Sequence, residues 1–313
     1  MMDIRGWDRL KLYEGSSGAA FYLERMVCKL INAQMRRYCR NLPNSQLASV
    51  GKEQADNIVV SLTSFPARIN HVDLAIKSLL HQTIMPGKVI LWLAQEQFEG
   101  VTIPQQLIDL CNYGLEIRFC KEDILAHKKY YYSMQEYPDK VIVTYDDDLI
   151  YAEDSLERLL DVHKRNPNVI VCNRGREIAM TAEGEIAPYK YWKLKGTETY
   201  HIPSYRYMAS TGAGTLYPPG CMPEETFNLE KIKTLALTAD DLWMKAMSIV
   251  AGIPVVKTSR RNKGLCLSCS KRGIALADRN VGENLNDTVM ENLVREFPII
   301  KTRLLEEDSV NGK

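Results

Sequence analysis

Apolar positions recur along the chain in two rhythms, and the rhythm changes near residue 55. Before that point Phe21, Leu23, Met26, Val27, Leu30, Ile31 and Met35 return at helical spacing, which predicts a long helix over residues 19–40. Arg25, Lys29, Arg36, Arg37 and Arg40 are set among them. Two readings fit: a helix that packs on the main domain or on another subunit, or a basic amphipathic helix lying on a membrane surface. Cys28, Asn32 and Gln34 dilute the stripe and favour packing. Asn41 to Asp56, polar with Pro43 and two serines, predicts a linker.

From Asn57 short apolar runs alternate with helical spacing. Ile58 to Leu62 predicts a strand, stopped by a turn at Thr63-Ser64-Phe65-Pro66. Val72 to Leu80 predicts a helix ending before Pro86-Gly87, and Lys88 to Leu93 a second strand. Pro104 to Cys111 suits a helix with proline in its first turn, and Leu115 to Cys120 a third strand. Lys129 to Glu136 is a helix, and Val141 to Thr144 a fourth strand that runs directly into Asp146-Asp147-Asp148. Glu153 to Lys164 begins acidic and ends basic, as a helix dipole favours, and Val169 to Cys172 is a fifth strand.

Such alternation predicts an α/β fold with a mostly parallel sheet covered by helices on both faces. Ligands in these sheets bind beyond the C-terminal strand ends, where strand order reverses. The expected organisation is an N-terminal helical extension and linker over 1–54 and one α/β domain over 55–313, with halves at 55–150 and 151–313.

Composition narrows the partners. The 313 residues carry 40 Lys and Arg against 39 Asp and Glu, a net charge of +1, so nothing draws the whole chain to nucleic acid and any anion site must be local. Of eight cysteines only Cys266 and Cys269 lie close together; a zinc site needs a second such pair, so reduced cysteines are expected. Met1-Met2-Asp3-Ile4-Arg5 lacks the charged lead-in and apolar run of a secretory signal, and no apolar stretch is long enough to span a bilayer. A cytoplasmic location follows as the expectation, peripheral at the inner face of the membrane if the amphipathic reading of the first helix holds.

The aspartate triplet is the strongest chemical signal. Three adjacent carboxylates repel one another unless a cation offsets them. In an extended segment Asp146 and Asp148 would point one way and Asp147 the other. Their hard oxygens suit Mg²⁺ or Mn²⁺, with diphosphate and water completing the shell. Downstream, Gly212 and Gly214 permit close backbone approach of a ligand. Asp240-Asp241 opens a predicted helix containing Leu242, Trp243 and Met247; capping explains one acid but not both.

The stretch Val141-Ile142-Val143-Thr144-Tyr145-Asp146-Asp147-Asp148-Leu149-Ile150-Tyr151 resembles the DxD region of GT-A-fold nucleotide-sugar glycosyltransferases, and further segments agree in order. Val60 to Arg68 is similar to the opening strand and base-binding loop, Ser78 to Thr83 to the helix end that follows, and His127-Lys128-Lys129-Tyr130 to the basic segment before the DxD strand. Gly212 to Pro219 resembles an acceptor-side loop and Ala239-Asp240-Asp241-Leu242-Trp243 the later acidic motif, so the likeness spans roughly Asn57 to Val256. The nearest resemblance is to bacterial transferases that build surface polysaccharides.

That resemblance implies roles. Asp148, with Asp146, would bind Mn²⁺ or Mg²⁺. Thr63, Ser64, Arg68, Asp146 and Asp147 would bind the donor, a UDP-sugar foremost, with Lys128 or Lys129 offsetting its diphosphate. Gly212, Gly214 and Trp243 would face a glycan or lipid-linked acceptor, Trp243 as a stacking platform unless it is core. Asp241 would be the base of an inverting transfer, with Asp240 positioning it. Many such enzymes add a late His to the metal; here His71, His81, His127, His163 and His201 all precede Asp241, leaving Asn284, Asn286 or Asp287 as late candidates. Two other readings compete: a phosphohydrolase of the haloacid dehalogenase type, which also sets Asp-x-Asp after a strand, and a non-catalytic glycan- or nucleotide-binding subunit.

Overall fold

The sheet is built around β1 (Glu53–Thr63). Its residues 58–62 are buried on both faces, as an unbroken apolar run requires of a central parallel strand. The computed structural model describes residues 19–47, 53–193, 201–259, 266–267 and 285–311. After β1 come α2 (Val72–Leu80), β2 (Ile84–Ala94), α3 (Gln105–Asp109), β3 (Leu115–Cys120), α4 (Lys128–Glu136), β4 (Val141–Tyr145) and the short β5 (Leu149–Ile150). Then follow α5 (Ser155–Arg165), β6 (Ile170–Cys172), β7 (Gly175–Glu177), β8 (Tyr207–Ala209) and β9 (Ala213–Tyr217). The rest is α6 (Leu229–Lys231), α7 (Asp240–Ala251), β10 (Val255–Lys257), β11 (Cys266–Leu267), α8 (Leu285–Glu296) and α9 (Ile299–Asn311), with α1 (Ala19–Asn41) preceding β1.

Seven strands lie in the order β10-β6-β9-β4-β1-β2-β3. All neighbours are parallel except β9, which runs antiparallel to both β4 and β6. The fold is therefore α/β with a mostly parallel sheet, as expected. Strand order reverses at β1, which has β2 on one side and β4 on the other, so Thr63 and Asp146 emerge at adjacent C-terminal ends.

Alternate residues of the strands feed two faces. Val60, Leu62 and Val143 pack with Ile76, Leu79 and Leu80 of α2, while Val59, Ile90, Trp92 and Ile142 pack with Tyr132 and Met134 of α4. A second core surrounds α7, where Leu242, Trp243 and Met247 meet Met290, Leu293, Ile300 and Leu304.

Three local expectations need correction. The second strand starts at Ile84 rather than Lys88: Pro86 and Gly87 lie inside β2, opposite a bulge between Ala55 and Val59 of β1. The stretch called a linker is structured at both ends, since β1 starts at Glu53 and Leu42 and Leu47 join the main core. The first helix is only half packed. Ile31, Met35 and Cys39 are buried against Leu74, Ile150 and Ala152, whereas Tyr22, Leu23, Met26, Val27 and Leu30 stay exposed. Among the described residues no helix is long and apolar enough to cross a membrane. Cys269 and Asn284 lie outside the described residues.

Candidate active site

A cavity of about 440 Å³ opens at the strand-order reversal, within the range of small-molecule sites. Thr63, Ser64, Phe65 and Arg68 line it from the end of β1, Asp146, Asp147 and Asp148 from the end of β4, Lys128 and Lys129 from the start of α4, and Asp240 and Asp241 from the start of α7. Asp148 and Asp240, 92 positions apart, thus reach one space. Lys129 joins them. Its Nζ lies 2.7 Å from Asp146 Oδ1 and 2.9 Å from Asp240 Oδ2, with 2% of the side chain exposed. Burial alone would lower the Lys129 pKa, but Asp146, Asp240 and Asp241 hold it well above the ordinary value, so it is a permanent cation. The Ser61 hydroxyl donates to Lys129 O at 2.5 Å and fixes the first turn of α4 against β1.

The aspartate triplet does not alternate as an extended segment would. β4 ends at Tyr145 and residues 146–148 turn, so Asp146 faces Lys129 while Asp147 and Asp148 share Arg68. Asp147, expected to face away, is the buried one: Ser64 Oγ donates to its Oδ2 at 2.5 Å and Arg68 Nη1 to its Oδ1 at 2.8 Å. The same Arg68 nitrogen stands 3.0 Å from Asp148 Oδ2. Burial raises the pKa of Asp147 against the pull of Arg68. Burial and the charge of Asp146 push that of Asp148 up to about 6.

Gly212 is required for a reason internal to the protein. A Cβ there would sit 1.7 Å from Asp146 Oδ2, so the glycine makes room for that carboxylate. Gly214 has φ +94°, and a Cβ on it would strike Asn173 and Tyr145. Both glycines are buried inside the β4–β9 junction and neither lines the cavity, which corrects their assignment to an acceptor. The Tyr151 hydroxyl donates to Gly212 O at 2.6 Å and accepts from Asp146 N at 2.8 Å, stapling the two segments. Trp243 is core: it is fully buried and donates from Nε1 to Thr226 O at 3.1 Å, so it is no sugar platform.

The pair at the start of α7 is electrically split. Burial would raise Asp240, but Lys129 and His127 outweigh it and hold its pKa below the usual carboxylate range. Asp241 is pushed up to about 7 by burial and by the charge of Asp240. Thr211 lies against both: its N–H donates to Asp241 Oδ1 at 2.8 Å, and its Oγ1 is 2.6 Å from that atom and 2.7 Å from Asp240 Oδ2. On the donor side Lys128 is ion-paired to Asp123, which also accepts from Gln97 Nε2 at 2.5 Å. Thr63 Oγ1 donates to Trp92 O at 2.8 Å. Thr211, Gln97, Tyr189 and Asn286 line the cavity too. Of these only Asn286 carried a sequence signal; a threonine in a loop and a tyrosine carry none.

Among the described residues no group of three or more His, Cys, Asp or Glu is arranged to hold a metal ion by itself. The donor set nevertheless fits a weakly held hard cation. Five carboxylates line the cavity, and of the three cations there Lys128 is already bound to Asp123, leaving Arg68 and Lys129. The excess negative charge and the hard oxygen donors match a divalent ion that brings further ligands with it. Of the late candidates Asn286 lines the cavity, whereas Asp287 is used to accept from Tyr189 N at 2.6 Å.

No protein-family model matches the chain, and no curated protein does. Several solved structures share features of the fold. The mannosyltransferase PcManGT from Pyrobaculum calidifontis, in complex with GDP-Man and Mn²⁺, is 10% identical over 94% of this chain and 86% of its own, with a TM-score of 0.44. S. aureus TarS 1–349 is 11% identical over 80% of this chain and 71% of its own, with a TM-score of 0.42. Its UDP complex is 13% identical over 76% and 64%, with a TM-score of 0.43.

Proposed function

We propose that the chain is a glycosyltransferase that moves a sugar from a nucleoside-diphosphate donor, a UDP-sugar foremost, to a glycan or lipid-linked acceptor, with inversion at the anomeric carbon. The observation that carries the reading is Lys129, which bridges the aspartate turn after β4 and the acidic pair of α7 within one cavity. Nucleotide and diphosphate occupy the side lined by Thr63, Ser64, Arg68 and the aspartates; the acceptor enters beside Asp241. Asp148, with Asp146, would hold a Mn²⁺ or Mg²⁺ ion, which when bound would offset the charge of a leaving diphosphate. Lys129 adds a fixed positive charge next to that position. Asp241, with its pKa near 7, is a stronger base than an ordinary carboxylate and takes the acceptor proton. Asp240 stays anionic beside Lys129.

The position of the aspartates favours this over a phosphohydrolase of the haloacid dehalogenase type. They follow β4, the fourth strand along the chain, not the first, and Asp146 is ion-paired to Lys129 rather than free to attack a phosphoester. A role in bacterial surface polysaccharide synthesis and a cytoplasmic location belong to the same proposal. So does contact with an anionic membrane surface through α1. Tyr22, Leu23, Met26, Val27 and Leu30 form an exposed apolar stripe, and Lys29, Arg36 and Arg40 run along one flank of it on a chain of net charge +1.

Thermal denaturation with UDP, GDP or CMP, each with and without Mn²⁺, tests the central reading. One nucleoside diphosphate should raise the Tm only with metal. No shift with any nucleotide, together with hydrolysis of a small phosphoester, overturns it.

A further inference from the structure

Thr211 sits in the loop between β8 and β9 and is buried, beside Tyr217, Met244 and Val255. Its polar atoms meet two carboxylates. Its N–H and its hydroxyl both reach Asp241 Oδ1, at 2.8 and 2.6 Å, and the hydroxyl also lies 2.7 Å from Asp240 Oδ2. The loop is anchored from below, where Thr144 Oγ1 donates to Thr211 O at 2.7 Å.

A hydroxyl carries one proton, so at any moment it donates fully to one of the two carboxylates. The other is then stabilised by different means or by a proton of its own. Asp240 has such means in Lys129 at 2.9 Å. Among the described residues no cation is ion-paired to Asp241: Lys129 acts on it only through its charge, and the hydrogen-bond donors that reach it belong to Thr211.

Resting on the glycosyltransferase reading above, we propose that Thr211 is the positioning residue of the proton acceptor. Its two donors fix Asp241 Oδ1, so that Oδ2 faces the acceptor hydroxyl, and its hydroxyl turns from Asp241 to Asp240 once Asp241 is protonated. In the transfer the acceptor O–H bond breaks and its proton goes to Asp241 Oδ2. The freed oxygen pair forms the bond to the anomeric carbon. The bond from that carbon to the diphosphate oxygen breaks, and the nucleoside diphosphate leaves with that electron pair. Charge removed from Asp241 is matched by the hydroxyl moving to the remaining anion, so the loop itself need not shift.

Other groups face this pair. Tyr189, Tyr217 and Cys172 lie near Asp241, and burial raises the pKa of each, so they stay neutral. His127 near Asp240 is lowered by burial. Lys245, one helical turn beyond Asp241 on α7, is pushed down to about 7 by burial and titrates in the same range. Any pH profile must therefore be read beside Lys245→Met.

The experiment compares the unaltered protein with Thr211→Val, Thr211→Ala, Thr211→Ser and Lys245→Met. It measures metal-dependent stabilisation by the nucleoside diphosphate and kcat against pH. In Thr211→Val and Thr211→Ala kcat should fall roughly 10–100-fold, part of what a placed general base supplies. Stabilisation by the nucleotide should persist. The acid limb of the profile should move to higher pH, because the lost hydroxyl favoured the Asp241 anion while the backbone N–H is kept. Thr211→Ser should restore rate and limb, and Lys245→Met should leave the limb in place. Unchanged kcat and limb in Thr211→Val and Thr211→Ala, or a Thr211→Ser as impaired as Thr211→Val, overturns the role of the hydroxyl while leaving the transferase reading intact. Absence of nucleotide stabilisation and of transfer in the unaltered protein overturns both.

Discussion

Lys129 Nζ lies 2.9 Å from Asp240 Oδ2, joining the first turn of α4 to the first turn of α7 across 111 positions of sequence. Both side chains are largely withdrawn from water, 2% and 14% exposed. Breaking such a pair from one side leaves a buried charge uncompensated, which costs about 3–5 kcal/mol. Lys129→Met is therefore expected to lower stability by about that amount and to abolish transfer. The double variant Lys129→Met/Asp240→Asn should regain most of the stability without the activity. Urea denaturation at neutral pH reads both; equal stability of Lys129→Met and the unaltered protein would show that the pair carries no weight.

The members of the aspartate turn should separate by phenotype. Among the described residues Asp148 is ion-paired to Arg68 alone, and it keeps 24% of its side chain exposed. Asp147 is 6% exposed and accepts from both Ser64 and Arg68. Asp148→Asn is expected to leave the Tm of the ligand-free protein unchanged or slightly higher, since it removes a charge that burial penalises, and to abolish the metal-dependent nucleotide shift. Asp147→Ala should instead destabilise the ligand-free protein by about 1–3 kcal/mol, for stranding the Ser64 and Arg68 donors, and so lower its Tm. Differential scanning with and without Mn²⁺ and nucleotide distinguishes them, and identical behaviour of the two variants would contradict the division of roles.

Much of the fold was legible because its strands are short apolar runs punctuated by helical spacing, and the site followed from where β4 ends. What was misread has local physical causes. The alternation argument for Asp146 and Asp148 presumed an extended backbone, but the strand stops at Tyr145 and the turn aims Asp147 inward to Ser64. Gly212 and Gly214 signalled close approach correctly, but what approaches is Asp146, Asn173 and Tyr145, and sequence does not say which atom fills the space beside a glycine. Pro86 reads as a strand breaker, yet a bulge in β1 opposite it removes the need for its missing N–H. Thr211 carried no signal, since its role arises from contacts with residues 29 and 30 positions away.

The exposed half of α1 makes a prediction about lipid. Leu23, Met26 and Leu30 are 62%, 60% and 65% exposed and lie on one face, with Lys29, Arg36 and Arg40 beside it. Anionic vesicles should retain the protein in sedimentation, neutral vesicles should retain it less, and raised salt should release it, as expected of apolar insertion combined with basic attraction. Leu23→Ser/Met26→Ser/Leu30→Ser should lose retention without loss of Tm, because none of the three contributes to the core that Ile31, Met35 and Cys39 form. Equal retention of this variant would assign the stripe to something other than lipid.

Lys245 supplies the clearest pH-linked stability effect. It lies fully buried on α7, and among the described residues no hydrogen-bond acceptor meets its Nζ. Burial takes its pKa from the ordinary 10.5 down to about 7, against the weaker pull of Glu307. With one pKa unit worth about 1.4 kcal/mol, this corresponds to an upper figure of about 4–5 kcal/mol. The sign is destabilising. Between pH 7 and 10.5 the unfolded chain binds a proton that the folded one does not, so stability rises with pH across that window. Below pH 7 both states are protonated and the full cost is present. Lys245→Met, which fills the same space without a charge, should therefore be more stable than the unaltered protein by about 2 kcal/mol or more at pH 6.5. The advantage should shrink steadily toward pH 10. Urea midpoints of both proteins at pH 6.5, 8 and 9.5 test this, and a difference independent of pH would mean that Lys245 is neutralised by some other route.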